Sequence, residues 1–271
     1  MPIYDINGNA LQSAYDINGD AIQTAYDING NAIPLQSPIE SLKVMTFNVQ
    51  GWTGINADVT LMQSIFTAHD PDIIGFQEGN IANAPSTLPA KANYTNYSGI
   101  ASKTALSNVS ETTYATQGHE TRKYSKGYYP LPNGKQLAIF NTHIEVPSWS
   151  YEAFLAQHEE LLTAALQEEY FVLLGDFNCS FKAKTDSQYE DVMPQYLEAN
   201  CRMANWKDKI VFTWFGGTTV AGSGTNIEPC DNIITSSNVI LSGVAFDQRK
   251  IDADANLTID HIPVVAEILI Y

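Results

Sequence analysis

Residues 42–48, Leu-Lys-Val-Met-Thr-Phe-Asn, contain the pattern that determines the expected fold. A mostly apolar run of this length is typical of a buried strand, and this one ends in an asparagine. The same pattern recurs five times, and the polar clusters that follow these further runs are Phe76-Gln77-Glu78, Asn141-Thr142-His143, Gly175-Asp176-Phe177-Asn178, Cys230-Asp231-Asn232 and Asp260-His261. Strands that end in Asn, Asp, Glu or His can bring these side chains into one cleft. Such a cleft can hold a hard cation and hydrolyse a phosphate ester.

Helical and strand patterns alternate along most of the chain. Apolar residues at helical spacing predict helices over 58–68 and 151–166. Apolar runs predict further strands, at 72–77, 137–142, 171–174, 232–234 and 262–270. Residues 82–135 are rich in Ser, Thr, Asn and Tyr and predict several short strands without a long helix. We therefore expect an α/β fold in which helices face two sheets.

The composition excludes several classes of protein. With 44% hydrophobic residues, the 271-residue chain can form a sizeable core. A net charge of −16 argues against general nucleic-acid binding, which depends on Lys and Arg, but it does not exclude a nuclease with a locally basic surface or a bound metal. No apolar run approaches the ~20 residues of a membrane span. The N-terminus shows no secretory signal pattern, which fits a cytoplasmic or a phage-particle-associated protein.

The first 36 residues form a separate module, in which Tyr-Asp-Ile-Asn-Gly begins at Tyr4, Tyr15 and Tyr26. Asn-Gly suits a two-residue hairpin turn, and a turn at Asn29-Gly30 would pair Tyr26 with Ile33. Hairpins this short are marginal alone, so we expect the repeats to pack on each other, on the main domain or on other copies of the chain as a homo-oligomer. A calcium loop is the competing interpretation, although its required glycine and final glutamate are both replaced. The domains predicted are residues 1–36 and 37–271.

Several polar residues are candidates for metal binding. Glu78 and Asp260 offer carboxylate oxygens, which Mg²⁺ prefers. Asn48 offers a neutral amide that adds no repulsive charge.

Other residues are candidates for proton transfer and phosphate contact. If Asp231 lies near His261, its carboxylate can hold the imidazole in one tautomer and make it a general base for attacking water. Asn178 offers an amide to phosphoryl oxygens. His143 can donate to a phosphate oxygen whose negative charge grows in the transition state.

Taken in order, these segments resemble the endonuclease/exonuclease/phosphatase superfamily, which includes deoxyribonuclease I. The resemblance covers roughly residues 41–271, and its matching segments are Val44–Gln50, Asp72–Glu78, Phe140–His143, Leu174–Asn178, Asp231–Ser236 and Asp260–Val264. It implies a four-layer α/β sandwich with the site at one edge of the paired sheets. The N-terminal repeats lie outside it and resemble units that precede hydrolase domains in some phage and prophage proteins.

The resemblance also implies a role for each residue. Glu78 would bind Mg²⁺, or alternatively Mn²⁺, with Asn48 and Asp260 close by. Asp231 would orient the base His261 during in-line attack of water on phosphorus. The remaining catalytic residues would be Asp176, which positions the water, Asn178, which steadies the phosphoryl oxygens, and His143, which contacts the phosphate. Gln50 stands where some related nucleases carry an acidic residue, which favours one metal ion over two.

The sequence is compatible with three functions. The first is a metal-dependent phosphodiesterase, with nucleic acid as the favoured substrate. The second is a phosphomonoesterase or a sphingomyelinase-like phosphodiesterase, in which Trp149 and Tyr151 could form an exposed loop that meets a membrane. The third is a virion assembly or attachment protein that carries an accessory hydrolase domain.

Overall fold

The structure is a computed structural model that describes residues 38–178, 201, 230–247, 249 and 261–271, and the backbone of a few short strands outside these ranges. The two α-helices that lie wholly within the described residues are α1, Val59–His69, and α2, Tyr151–Ala165. In chain order the strands are β1 Thr24–Tyr26, β2 Ala32–Pro34, β3 Glu40–Asn48, β4 Ile73–Gln77, β5 Thr95–Tyr97, β6 Ile100–Ser102, β7 Ser107–Thr113, β8 Lys123–Pro130, β9 Gln136–His143, β10 Phe171–Asp176, β11 Cys201–Met203, β12 Thr219–Val220, β13 Ile227–Glu228, β14 Asp231–Ser236, β15 Val239–Phe246 and β16 Val264–Ile270.

Two six-stranded mixed sheets form the centre of the fold. The first has the order β15-β16-β3-β4-β6-β5 and the second β11-β14-β10-β9-β8-β7. The pairs β3–β4 and β9–β10 are parallel, whereas the neighbouring pairs in both sheets are antiparallel. The carboxyl ends of β3, β4, β9 and β10 and the amino ends of β14 and β16 consequently lie toward one edge of each sheet.

Three hydrophobic clusters separate four layers. The central cluster, which includes Val44 and Leu174, lies between the sheets. A second cluster packs α2, through Phe154, on the outer face of β9 and β10. The third packs α1, through Phe66, on the outer face of β3 and β4. This arrangement confirms the predicted four-layer α/β sandwich.

The inward-facing rows of the strands change from apolar to polar at one edge. Side chains alternate between the two faces of a strand, so every second residue lies on the same face. Val44, Ile73, Ile139, Leu174 and Ile233 belong to the central cluster. Steps of two from these positions toward the edge reach Asn48, Gln77, His143, Asp176 and Asp231. The strand periodicity that fills the core therefore also points the polar side chains into the space between the sheets.

The helices begin at capping side chains. Asp58 Oδ1 accepts a hydrogen bond from Leu61 N at 3.0 Å, and Ser150 Oγ accepts one from Ala153 N at 3.3 Å. Such contacts satisfy amides that have no partner within the first turn of a helix. The predicted helices are thus found within one residue of their expected ends.

Four strands and one turn differ from the sequence prediction. The strands missing from the predicted elements are the short β11, β12 and β13 and the longer β15, which forms the end of the first sheet beside β16. In the hairpin of β1 and β2, Tyr26 pairs with Ala32 instead of Ile33. The pairing is therefore centred on Asn29 and not on the Asn29-Gly30 bond, and a one-residue change of register exchanges the faces of a strand. Most of residues 1–37, including the other repeats, lie outside the described residues, and the domain boundary stays a prediction.

Candidate active site

A buried aspartate lies at the centre of the polar edge. Asp176 ends β10 and is 1% exposed. Its Oδ1 accepts a hydrogen bond from the Asn178 amide at 2.9 Å, and its Oδ2 accepts one from Asn48 Nδ2 at 3.1 Å. The pKa of this carboxyl is raised by burial but lowered more strongly by the neighbouring His143 and His261 rings and these two donors, so it lies below its usual range. Asp176 is therefore ionised at neutral pH.

An Asp–His pair lies directly beside Asp176. His261 Nδ1 is 2.7 Å from Asp231 Oδ2, and both residues are buried. Because an ionised carboxylate only accepts hydrogen bonds, Nδ1 carries the proton and donates it to Asp231. The other ring nitrogen, Nε2, lies 3.5 Å from Asp176 Oδ2, and in the neutral ring it carries the lone pair. The arrangement can take a proton from a water molecule at Nε2.

His143 approaches the same aspartate from the neighbouring strand. In the parallel pair β9–β10, His143 lies opposite Asp176, and its Nε2 is 3.5 Å from Asp176 Oδ2. Burial lowers the pKa of His143, while the Asp176 charge opposes this effect. The ring is consequently neutral at pH 7, and a neutral imidazole can still donate one hydrogen bond.

Glu78 and Asn48 contact each other at the end of the parallel pair β3–β4. Asn48 Nδ2 donates to Glu78 Oε1 at 3.0 Å and, as noted, to Asp176. Two carboxylates thus converge on one amide, and the second Glu78 oxygen makes no hydrogen bond to the described residues. Carboxylate and amide oxygens are the ligand types that hard divalent cations prefer, so the second Glu78 oxygen fits such an ion. The Asn48 oxygen accepts a hydrogen bond from Gln50 N at 3.1 Å, and a rotation of the amide would turn it toward Glu78. Asp260, the third predicted ligand, lies outside the described residues.

A second group of side chains has a spacing that a metal could bridge. Candidate ligand atoms of Asp176, Asp231 and His261 all lie within 4.8 Å of one another. The 2.7 Å contact between Asp231 and His261 is, however, a hydrogen bond that needs a proton on Nδ1. A protonated Nδ1 cannot bind a metal ion, so this group is better suited to proton transfer. Glu78 and Asn48 are therefore the better candidates for metal binding.

Asn178 is held beside the site by local contacts. It has a positive φ of 48°, a conformation that asparagine tolerates better than most residues. Its Nδ2 donates to the Ile144 carbonyl at 2.8 Å, which joins the segment after β10 to the segment after β9. This bond occupies one amide hydrogen and leaves the other for a substrate.

Two residues in the sequence clusters had no predicted role, yet they connect the sheets beneath the site. Gln77 Nε2 donates to Asn141 Oδ1 at 2.7 Å and to Thr46 Oγ1 at 3.1 Å. Asn141 Nδ2 donates to the Phe76 carbonyl at 2.8 Å. A Cβ atom on Gly75 would lie 2.5 Å from Asn141 Oδ1, so the close approach of the sheets requires glycine there. In the sequence, the position of Gln77 and Asn141 at the ends of apolar runs was the one feature that could have indicated this role.

A polar groove opens from the catalytic residues. It has a volume of about 480 Å³ and begins at Glu78 and His143. From there it extends past the β5–β6 turn to Lys123 on β8. The groove is large enough for the organic part of a small phosphoester.

The basic residues between 103 and 135 do not form a free positive surface. Each of the five contacts a carboxylate, and the pairs are Lys103–Asp70, Arg122–Glu120, Lys123–Glu111, Lys126–Glu168 and Lys135–Glu169. Within the described part of the chain, this segment therefore offers little charge for gripping duplex DNA.

Two exposed aromatic side chains follow the His143 strand. Trp149 is 53% exposed and Tyr151 is 44% exposed, and the Trp149 ring lies 4.9 Å from the His119 ring. The predicted membrane-facing role of this loop remains untested. Neither described helix is both long enough and apolar enough to cross a membrane.

A four-layer sandwich with Asn, Glu, Asp and His side chains at one edge of its paired sheets is typical of the class of α/β phosphoester hydrolases. The chain belongs to the Endonuclease/Exonuclease/phosphatase family, whose profile matches residues 45–245. The members of this family are phosphoester hydrolases and generally use a divalent metal ion. The superfamily predicted from the sequence is thereby confirmed.

Solved structures with low sequence identity share the fold. An endonuclease/exonuclease/phosphatase family protein from Bacteroides thetaiotaomicron is 16% identical with a TM-score of 0.64, and the match covers 87% of this chain and 100% of that one. TDP2 from D. rerio, complexed with single strand DNA product, is 16% identical with a TM-score of 0.65 and coverages of 84% and 99%. A mannosyl-6-phosphatase from B. thetaiotaomicron is 17% identical with a TM-score of 0.60 and coverages of 84% and 99%. No curated protein sequence matches the chain significantly.

Proposed function

We propose that the protein is a Mg²⁺-dependent phosphoester hydrolase in which His261 activates the attacking water. The observation that carries the proposal is the 2.7 Å contact between His261 Nδ1 and Asp231 Oδ2, with Nε2 directed at a second carboxylate. Asp231 fixes the tautomer and stabilises the positive charge that the ring gains when it takes the proton. A general base of this kind typically accelerates hydrolysis ~10²–10⁴-fold.

The other residues at the edge orient water and phosphate. Asp176 accepts a hydrogen bond from the water and holds it beside Nε2 of His261. His143 donates to a phosphoryl oxygen as its negative charge grows, and the free amide hydrogen of Asn178 does the same. Glu78, together with Asn48 and Asp260, would hold the cation. When bound, a divalent cation supplies positive charge that offsets the charge developing on the phosphoryl group.

Nucleic acid remains the substrate class predicted from the sequence. The DNA product named for the D. rerio structure supports it by analogy of fold alone. The exposed Trp149 and Tyr151 rings could stack on unpaired bases, which favours single strands over duplex. The paired basic residues also make a duplex the weaker candidate.

A phosphomonoester is the second candidate, and the groove favours it. A compact groove of about 480 Å³ beside His143 suits a small organic group better than a continuous polymer. The mannosyl-6-phosphatase of similar fold supports this candidate by analogy alone. The predicted roles in virion assembly and attachment have no support from the described residues.

The proposal is tested with two substrates and one catalytic variant. A DNA oligonucleotide and a small phosphomonoester are incubated with Mg²⁺, with or without excess chelator, and with wild type or His261→Ala. We expect hydrolysis of at least one substrate, loss with chelator and a decrease of at least about 100-fold in the variant. His69→Ala is the matched control, since His69 also contacts an aspartate at 2.7 Å but lies outside the site. Equal activity in wild type and His261→Ala, or no hydrolysis of either substrate, would contradict the proposal.

A further inference from the structure

The groove beside the reacting centre has its own set of unused polar side chains. Asn96 and Ser98 in the β5–β6 hairpin line the groove together with Ser125 on β8. The side chains of Asn96 and Ser98 make no hydrogen bond to the described residues, whereas Ser125 Oγ donates to the Ser98 carbonyl. The first two are therefore available to a ligand.

The remaining groove chemistry is polar but carries little net charge. Asn80 uses its Oδ1 as a helix cap for Asn83 N at 3.0 Å, which leaves its amide hydrogens free. Lys123 Nζ lies 2.7 Å from Glu111 Oε1, so the one lysine among the described lining residues already pairs with a carboxylate. A second phosphate on the substrate would meet no unpaired lysine or arginine among the described residues that line the groove.

The described residues that line the groove also offer no exposed aromatic face on which a base could stack. Phe76 is the one aromatic side chain among the described lining residues, and it is only 2% exposed. Its ring is packed in the core beneath α1 and offers no face to a ligand. Stacking on an aromatic ring is a main source of affinity for unpaired bases, so a nucleobase gains little in this groove.

We propose that this groove binds the hydroxyl groups of a sugar or polyol, and that the substrates are sugar or polyol phosphomonoesters. The inference rests on the proposed function, because the phosphate must lie at Glu78 and His143 for the organic group to enter the groove. In the reaction, the water oxygen bonds to phosphorus, a water proton passes to His261, and the bond from phosphorus to the sugar oxygen breaks. The sugar oxygen takes a proton from solvent, His261 returns its proton to solvent, and the products are the free alcohol and inorganic phosphate.

Selectivity between leaving groups tests the groove. The value of kcat/KM is measured for glucose 6-phosphate, glycerol phosphate, phenyl phosphate and a short DNA oligonucleotide. We expect the two hydroxylated esters to be preferred over phenyl phosphate by at least about 10-fold. In Asn96→Leu this preference falls about 3- to 10-fold, as the loss of one or two hydrogen bonds predicts. Asn93→Leu, an exposed asparagine outside the groove, is the matched control and keeps the wild-type preference.

Binding to a catalytically inactive variant separates this inference from the proposed function. Calorimetric titration of glucose 6-phosphate is carried out with His261→Ala and with the double variant His261→Ala/Asn96→Leu. Saturable binding that the second substitution weakens supports the groove assignment, even if no ester is hydrolysed by the wild type. A wild type that cleaves DNA or phenyl phosphate as well as the sugar esters, or binding that Asn96→Leu leaves unchanged, overturns the inference and leaves the hydrolase proposal standing.

Discussion

Asp176 and Asp231 lie opposite each other in the antiparallel pair β10–β14, and both approach the same imidazole ring. Asp231 Oδ2 is 2.7 Å from His261 Nδ1, whereas Asp176 Oδ2 is 3.5 Å from Nε2. The register of one strand pair thus gives one carboxylate the orienting position and the other the position next to the basic nitrogen. The two aspartates should consequently differ in what their substitution changes.

Substitution of Asp231 by asparagine should lower kcat and leave KM nearly unchanged. The amide keeps the shape of the side chain but removes the charge that stabilises a protonated His261 ring. We expect a loss of about 10²–10⁴-fold in kcat, measured at constant saturating Mg²⁺. Asp70→Asn is the control, because Asp70 is an exposed aspartate at the end of α1 that also makes a 2.7 Å contact, to Lys103, and its activity per folded molecule should match wild type. An unchanged kcat in Asp231→Asn would exclude the orienting role.

Substitution of Glu78 by glutamine should remove the stabilisation of the fold by Mg²⁺. A ligand that binds only the folded state raises stability by about 2.7 kcal/mol at 100 times its dissociation constant. The wild-type melting temperature should therefore increase with added Mg²⁺, while that of Glu78→Gln should change little. Glu169→Gln, a surface residue that pairs with Lys135, should respond like wild type. If added Mg²⁺ raised the melting temperatures of Glu78→Gln and Glu169→Gln equally, the ion would bind at residues other than Glu78.

Substitution of Asn141 by leucine should destabilise the protein even though no catalytic side chain is removed. Leucine removes the 2.7 Å partner of Gln77 Nε2, which keeps its bond to Thr46 Oγ1, and it leaves the Phe76 carbonyl without its buried side-chain partner at 2.8 Å. A lost buried partner costs about 1–3 kcal/mol, so a decrease of about 2–4 kcal/mol in the unfolding free energy is expected from urea titration. Asn133→Leu, in the exposed turn between β8 and β9, should change stability by less than about 1 kcal/mol. A similar effect at both positions would show that the bridge between the sheets is not important.

His158 should make the fold sensitive to mild acid. Burial lowers the pKa of this histidine to about 4, from 6.5 in the unfolded chain, and its Nε2 has no hydrogen-bond partner among the described residues. Between these values the unfolded chain binds the proton more readily, so the unfolding free energy decreases as pH falls from about 6.5 to about 4. The decrease from this residue is on the order of 3 kcal/mol.

The pH dependence is tested by replacing the ring. His158→Leu should lose this component of acid sensitivity, as measured by urea unfolding at pH 7 and pH 5. His119→Leu removes an exposed histidine and should keep the wild-type decrease. A decrease in His158→Leu as large as in wild type would assign the acid sensitivity to other groups.

Local sequence patterns predicted most of the fold because strand and helix periodicities depend on residues only a few positions apart. The strand that ends at Asn48 and the helix that begins after Asp58 were found close to their predicted bounds. Strand β15 was missed because its residues Val239–Phe246 include Ser242 and Gly243, which interrupt the apolar pattern in the region where its register shifts. The hairpin register at Tyr26 was wrong because an Asn-Gly pair does not by itself specify the length of the loop.

The sequence by itself determined that polar side chains end the apolar strands and that alternation points them toward one face. Only the tertiary structure decided which of them meet. Asn48 and Asp176 are 128 positions apart in the chain, and His261 is 30 positions from Asp231. Their contacts depend on how two sheets pack and on which strands are neighbours. The packing of the sheets and the order of the strands are determined by burial of apolar surface over the whole domain. A local sequence pattern does not specify either of them.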